Sequence, residues 1–118
     1  MTTSRTYNQY TYTNYPITPE EFSTWLDSKR PRQIAGLRQS ASSCPIAHYL
    51  KDKGAVRVLV SYQTISINTR QGGSYDIYDT PIWVNHYLDK IDNYHRGRYY
   101  PLAITVHRAQ LLLKEVIS

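Results

Sequence analysis

The chain has 118 residues, 41% of them apolar and 19% charged, with a formal net charge of +5. That balance suits one compact core and is too apolar for general disorder. Its longest apolar runs, such as Val58-Leu59-Val60 and Leu111-Leu112-Leu113, fall far short of the roughly 20 residues that cross a bilayer. A single cysteine, Cys44, excludes an internal disulfide and fits a reducing, cytoplasmic setting.

Residues 1–16 carry Tyr7, Tyr10, Tyr12 and Tyr15 among Thr, Asn, Gln and Ser, without the apolar stretch of a secretory signal. They read as a polar arm, either disordered or adding a strand through the Tyr10/Tyr12 alternation. Residues 17–118 read as a single globular domain. It opens on Ile17-Thr18-Pro19-Glu20-Glu21-Phe22, where Thr18 and Glu21 form a capping box, Pro19 takes the first helical position and Ile17 staples Phe22. The spacing predicts a helix from about 19 to 30, with Lys29-Arg30 in its last turn, where the helix dipole favours cations. Pro31 stops it.

Residues 31–43, with Gly36 and Ser40-Ala41-Ser42-Ser43, are expected to be a basic connection anchored by Ile34 and Leu37. A short helix follows from Cys44-Pro45, with Ile46, Tyr49 and Leu50 inward and Gly54 as its stop. The period then alternates: Val56, Val58 and Val60, then Ile65 and Ile67, then Tyr75 and Ile77 beyond Gly72-Gly73. This predicts a three-stranded meander, or two strands if the chain runs straight through Tyr62-Gln63. Thr80-Pro81 repeats the cap-then-proline start, for a helix to about 95 with Val84, Tyr87, Leu88 and Ile91 inward and Gly97 beyond it. A last helix, capped by Thr105, presents Val106, Ala109, Leu113, Val116 and Ile117 to the core and leaves Leu111 off the stripe. The expected fold is α+β: a small antiparallel sheet of two or three strands packed by about four helices, in the order α-α-β-β-β-α-α.

The segment Cys44-Pro-Ile-Ala-His-Tyr-Leu50, preceded by Trp25-Leu26 and followed by Pro81-Ile-Trp83, resembles a group of small uncharacterised bacterial proteins over about residues 20–115. The resemblance brings no function with it.

No catalytic set, metal site or cofactor motif emerges from the spacing. Cys44 at a helix start, with His48 one turn along, resembles a thiol nucleophile and base, because a helix N-terminus lowers a thiol pKa. It lacks a third group and an oxyanion site. His86, Asp89, Asp92 and His95 look like ligands, but at about 100° per residue the two histidines lie on opposite faces of one helix. Gly36 to Ser43, running into a helix start beside Arg38, has the makings of an anion site, with Ser43 as a plain N-cap the simpler alternative.

Charge gives the clearer lead. Residues 1–60 carry eight basic and four acidic side chains, against six and five in residues 61–118. The excess gathers in Lys29, Arg30, Arg32, Arg38, Lys51, Lys53 and Arg57, and with Ser43 these make the expected anion-binding set. Phosphates need cations and unstacked bases need aromatic platforms, so the expected partner is nucleic acid or an acidic protein. The alternative is a protein-interaction or inhibitor module, with self-association as a homo-oligomer one form of it, that uses Tyr7, Tyr10, Tyr12, Tyr15 and Leu111.

Overall fold

A computed structural model describes residues 4–7, 10–70, 73–93 and 102–117 of the chain. The fold is α+β. Among the described residues the elements run β1 (Ser4–Tyr7), β2 (Tyr10–Thr13), α1 (Pro19–Asp27), β3 (Ile34–Leu37), α2 (Pro45–Asp52), β4 (Arg57–Val60), β5 (Thr64–Asn68), β6 (Asp76–Asp79), α3 (Ile82–Asp92), β7 (Ala103–Thr105) and α4 (Val106–Ile117). The four helices and the three-stranded antiparallel meander β4-β5-β6 match the expected plan. The order differs because strands stand where connections were expected. No helix among the described residues is long and apolar enough to cross a membrane.

Local chemistry explains the helix ends. Glu21 N–H donates to Thr18 Oγ1 at 3.1 Å and Thr18 N–H to Glu21 Oε1 at 3.3 Å, so each side chain satisfies a donor that the helix leaves free. Ile17 and Phe22 are both buried, as a staple requires. The helix closes earlier than its charge pattern suggests. Ser28 Oγ donates back to the Trp25 carbonyl at 2.6 Å and Lys29 N–H takes the Leu26 carbonyl at 3.0 Å. That tighter turn puts Lys29 and Arg30 beyond α1 rather than in its last turn. Helix α2 ends as expected at Gly54, whose φ of +116° suits glycine. Ala55 N–H reaches the Leu50 carbonyl and Gly54 N–H the Lys51 carbonyl, a complete Schellman closure.

In the meander, Val58 faces Ile67 and Val60 faces Ile65, all four buried. The turn before β5 needs neither Gly nor Pro, because Ser61 Oγ accepts from Thr64 N–H at 3.0 Å and Gln63 N–H at 3.3 Å. The third strand carries the expected alternation on the opposite face. Ile77 pairs with Ser66 and points outward with Tyr75, while Asp79 is buried. Its inward residue is Tyr78, which meets the Tyr15 ring edge-on at 5.0 Å. Val56, expected inward, is also exposed.

Strands β3 and β7 pair antiparallel with a bulge between Ile34 and Gly36. The connection expected at 31–43 thus contains a strand, and its anchors are reversed: Ala35 is buried whereas Ile34 and Leu37 are exposed. The two buried positions of this four-residue strand are Ala35 and Gly36, neither of which advertises a strand in the sequence. Thr80 does not cap α3. Its Oγ1 donates to the Ser61 carbonyl at 2.7 Å, and Pro81 takes the N-cap position. The helix ends at Asp92, and the expected stop at Gly97 lies outside the described residues. Thr105 does cap α4, accepting from Arg108 N–H at 3.2 Å. Leu112 joins the α4 stripe and Ile117 leaves it.

One core joins these pieces. Phe22 and Leu26 from α1, Ile46 and Leu50 from α2, Val58 and Ile65 from the meander, Tyr87 and Ile91 from α3, and Val106 and Leu113 from α4 are almost wholly buried. Tyr87, the largest of them, satisfies its hydroxyl on the Ala109 carbonyl at 3.1 Å. The arm forms a β1-β2 hairpin, with Tyr7 opposite Tyr10, and Asn14 then bridges Asp79 in parallel.

Candidate functional site

Aromatic packing brings the C-terminal ends of α1 and α2 together. The Phe22 ring stacks on Trp25 at 5.7 Å, and Trp25 meets Tyr49 edge-on at 5.6 Å. Around this pair, Asp52 Oδ2 accepts from Trp25 Nε1 at 2.8 Å and from Lys29 Nζ at 3.1 Å. Lys29 sits 5.2 Å from the centre of the Trp25 ring and Lys53 5.5 Å from that of Tyr49, both within cation–π range. The bond from Trp25, followed by those of Lys29, holds the Asp52 carboxyl below its ordinary range.

Arg30 and Arg32 extend this surface from an ordered turn. Gln33 N–H takes the Arg30 carbonyl at 3.0 Å, Val106 N–H the Gln33 carbonyl at 2.7 Å, and His107 N–H the Pro31 carbonyl at 2.9 Å. With the backbone tied to the start of α4, both guanidinium side chains stay exposed. Between the turn and α2 lies a cleft of about 130 Å³ lined by Trp25, Gln33, Ile34, His48, Asp52 and Val106. Partial burial, then the nearby Lys51 charge, pushes the His48 imidazole below its ordinary range.

The other members of the expected anion-binding set go elsewhere. Arg38 is 4% exposed and donates through Nη1 to the Asp92 carbonyl at 3.1 Å, holding the C-terminus of α3 against the loop after β3. It is a buried support, not a surface cation. Lys51 Nζ is engaged by the Ser42 carbonyl at 2.6 Å. Ser43 is not the N-cap of α2, since Cys44 holds that position, and the Ser43 carbonyl accepts from Leu37 N–H at 2.8 Å. Arg57 opens β4 as an exposed residue.

Protein backbone fills the expected anion loop. A Cβ on Gly36 would stand 2.6 Å from Pro45 N and 2.7 Å from both the Cys44 carbonyl carbon and the Ser43 oxygen, so Gly36 lies directly against the start of α2. Cys44 is 2% exposed, and burial pushes its thiol from 9.0 up to about 11 despite the opposing pull of the Ala47 and Ile46 amides. The expected lowering by the helix dipole is reversed, because desolvation outweighs it. His48 is exposed and lines the other cleft.

A second cleft, about 250 Å³, lies beside Cys44 with Gln39, Tyr62, Leu88 and Asp92 in its wall. Gln39 N–H donates to Asp92 Oδ1 at 2.7 Å and Tyr62 Oη to Asp92 Oδ2 at 3.0 Å. Burial and then Asp92 push the Tyr62 phenol up to about 12. Gln39 holds a φ of +60°, a left-handed conformation that a non-glycine residue adopts with some strain.

His86 is exposed and His95 lies outside the described residues, among which no three metal-ligating side chains cluster. Tyr15 is half-buried against Tyr78, and Leu111 is half-buried on α4. The interface expected of Tyr7, Tyr10 and Tyr12 rests on side chains outside those described. The expected set omitted Trp25, Gln33, His48 and Asp52. Trp25 with Lys29 and His48 with Asp52, each four residues apart, were the available signal.

No protein-family model, curated protein or solved structure matches the chain.

Proposed function

We propose that the chain is a non-enzymatic, cytoplasmic binding module for an acidic partner, with nucleic acid the favoured partner. The supporting observation is the α1–α2 junction, where Lys29, Arg30, Arg32 and Lys53 gather beside Trp25 and Tyr49 on backbone held by hydrogen bonds. Cations there meet phosphate, and half-buried Trp25, packed on Phe22 and the buried Tyr49, offers an aromatic surface, without any base-specific motif. The reading needs no cofactor and no metal.

Retention on nucleic acid across a salt series tests it. Each phosphate contact contributes roughly 0.7 to 0.9 to the slope of log affinity against log salt. Combined Arg30→Ala, Arg32→Ala and Lys53→Ala should flatten that slope by about 2. An unchanged slope rejects the surface.

One observation favours a protein-interaction module instead. Leu59 and Ile77, 45% and 42% exposed, flank Ser66 across the outer face of the meander. Self-association that disappears with Leu59→Glu, in a protein that does not retain nucleic acid, would select this second reading.

A further inference from the structure

We infer that the cleft between Trp25, Gln33 and the end of α2 receives one unpaired base, so that the preferred partner is single-stranded nucleic acid rather than duplex. This rests on the reading just given and narrows it.

The cleft has three kinds of wall. Trp25 supplies a flat surface backed by Phe22, with planes 22° apart, and a base would take the place of the Lys29 ammonium that sits 5.2 Å from the ring centre, which is then released to phosphate. Ile34 and Val106 supply apolar contact, and Ile34 is 51% exposed, an apolar surface that a base would cover. Gln33, His48 and Asp52 supply the polar edge. An amide both donates and accepts, a neutral imidazole does the same, and the Asp52 carboxylate accepts. The two side-chain bonds to Asp52 both fall on Oδ2, which leaves Oδ1 to accept from the N–H groups of a base.

The cations are placed for the backbone of the same strand. Lys29 lines the cleft, and Arg30 and Arg32 belong to the turn that carries Gln33. In a duplex the bases are stacked and their Watson–Crick edges are paired, so this polar edge would go unused; a splayed single strand can present phosphate and base together. The cleft beside Cys44 lacks this combination: among its described lining residues there is no cation, and each Asp92 carboxylate oxygen already accepts a bond, from Gln39 and from Tyr62.

The test is a titration of the full chain with a mixed-sequence oligonucleotide of about 12 residues, within the usual range of single-strand sites, and with its duplex, following tryptophan fluorescence. Single-strand affinity should exceed duplex affinity by about tenfold, with quenching that Trp25→Phe abolishes while the other tryptophan, Trp83, remains. Gln33→Ala combined with His48→Ala should lower single-strand affinity about tenfold and leave duplex affinity unchanged. Both positions are exposed, so this variant should fold. Equal affinity for strand and duplex without quenching, but with loss of both on Arg30→Ala and Arg32→Ala, overturns the base pocket and leaves the cationic surface standing. Retention of neither form overturns both.

Discussion

Two corners of this molecule use the same residue types to opposite ends. At the α1–α2 junction Lys29, Arg30, Arg32 and Lys53 are exposed or half-exposed around an aromatic pair, and one carboxylate, Asp52, binds two of the side chains there. At the corner where the loop after β3 meets α3, Arg38 and Cys44 are buried, and Asp92 is occupied by Gln39 and Tyr62. Burial separates them. A cation in water is available to a partner, whereas one withdrawn from water must already have a partner in the fold. A basic residue in a basic segment is therefore not evidence of a binding surface until its exposure is known.

The sharpest way to break the comparison is at Arg38. Alanine there removes one of the two side-chain donors to the Asp92 carbonyl, leaving Gln39 Nε2 at 3.2 Å, and opens a void, which together should cost about 4 kcal/mol, or roughly 15 °C of melting temperature. Lysine should not rescue it, because a point charge lacks the guanidinium fork. If Arg38→Ala melts normally and weakens nucleic-acid retention, the two corners are one surface after all.

Gly36→Ala comes next. The added methyl meets backbone at 2.6–2.7 Å on three atoms of residues 43–45, none of which can rotate away. A loss of about 3 kcal/mol is expected, read as a drop of roughly 10 °C in melting temperature. A neutral result would mean that α2 can slide on β3.

These two positions also show what was legible in the sequence. The starts of α1 and α4, the end of α2 and the meander were readable because their devices are local: a Thr18/Glu21 box, a Thr105 cap, a Gly54 stop and alternating Val and Ile. Strands β3 and β7 were not, since each has four residues or fewer and its partner lies far away in the chain. The burial of Arg38 and the close contact at Gly36 both follow from that pairing and were lost with it. Four of the seven expected cations, Lys29, Arg30, Arg32 and Lys53, lie together at the α1–α2 junction because they follow helix ends that local signals place. Asp52 was not legible there, as only tertiary contact sets it against Trp25.

Cys44 sharpens the contrast through pH. Its folded thiol titrates near 11 against an ordinary 9.0, so the fold favours the protonated form. That contribution is complete below pH 9, and it is lost as pH rises through about 11. Against Cys44→Ala, whose curve lacks this step while Tyr87 titrates in both proteins, the wild type should lose on the order of 2 kcal/mol more across that window. Denaturant midpoints measured at several pH values would show it. A thiol that reacts rapidly with iodoacetamide at pH 7 would instead return Cys44 to the exposed, reactive class.

The smallest expected change in stability falls where the largest change in binding is expected. Arg30 and Arg32 are exposed, and the turn that carries them is held by backbone bonds that alanine retains. Arg30→Ala with Arg32→Ala should therefore shift stability by less than about 0.5 kcal/mol. Phosphate binding is additive over charges, so the same variant should lose nucleic-acid affinity at low salt and little at high salt. Paired with Arg38→Ala, it forms a two-way test: one arginine should be needed to fold and dispensable for the surface, the other two the reverse. If the double variant loses its melting transition along with its binding, the turn is a structural clamp, and the distinction between the two corners fails at the place where it was drawn most firmly.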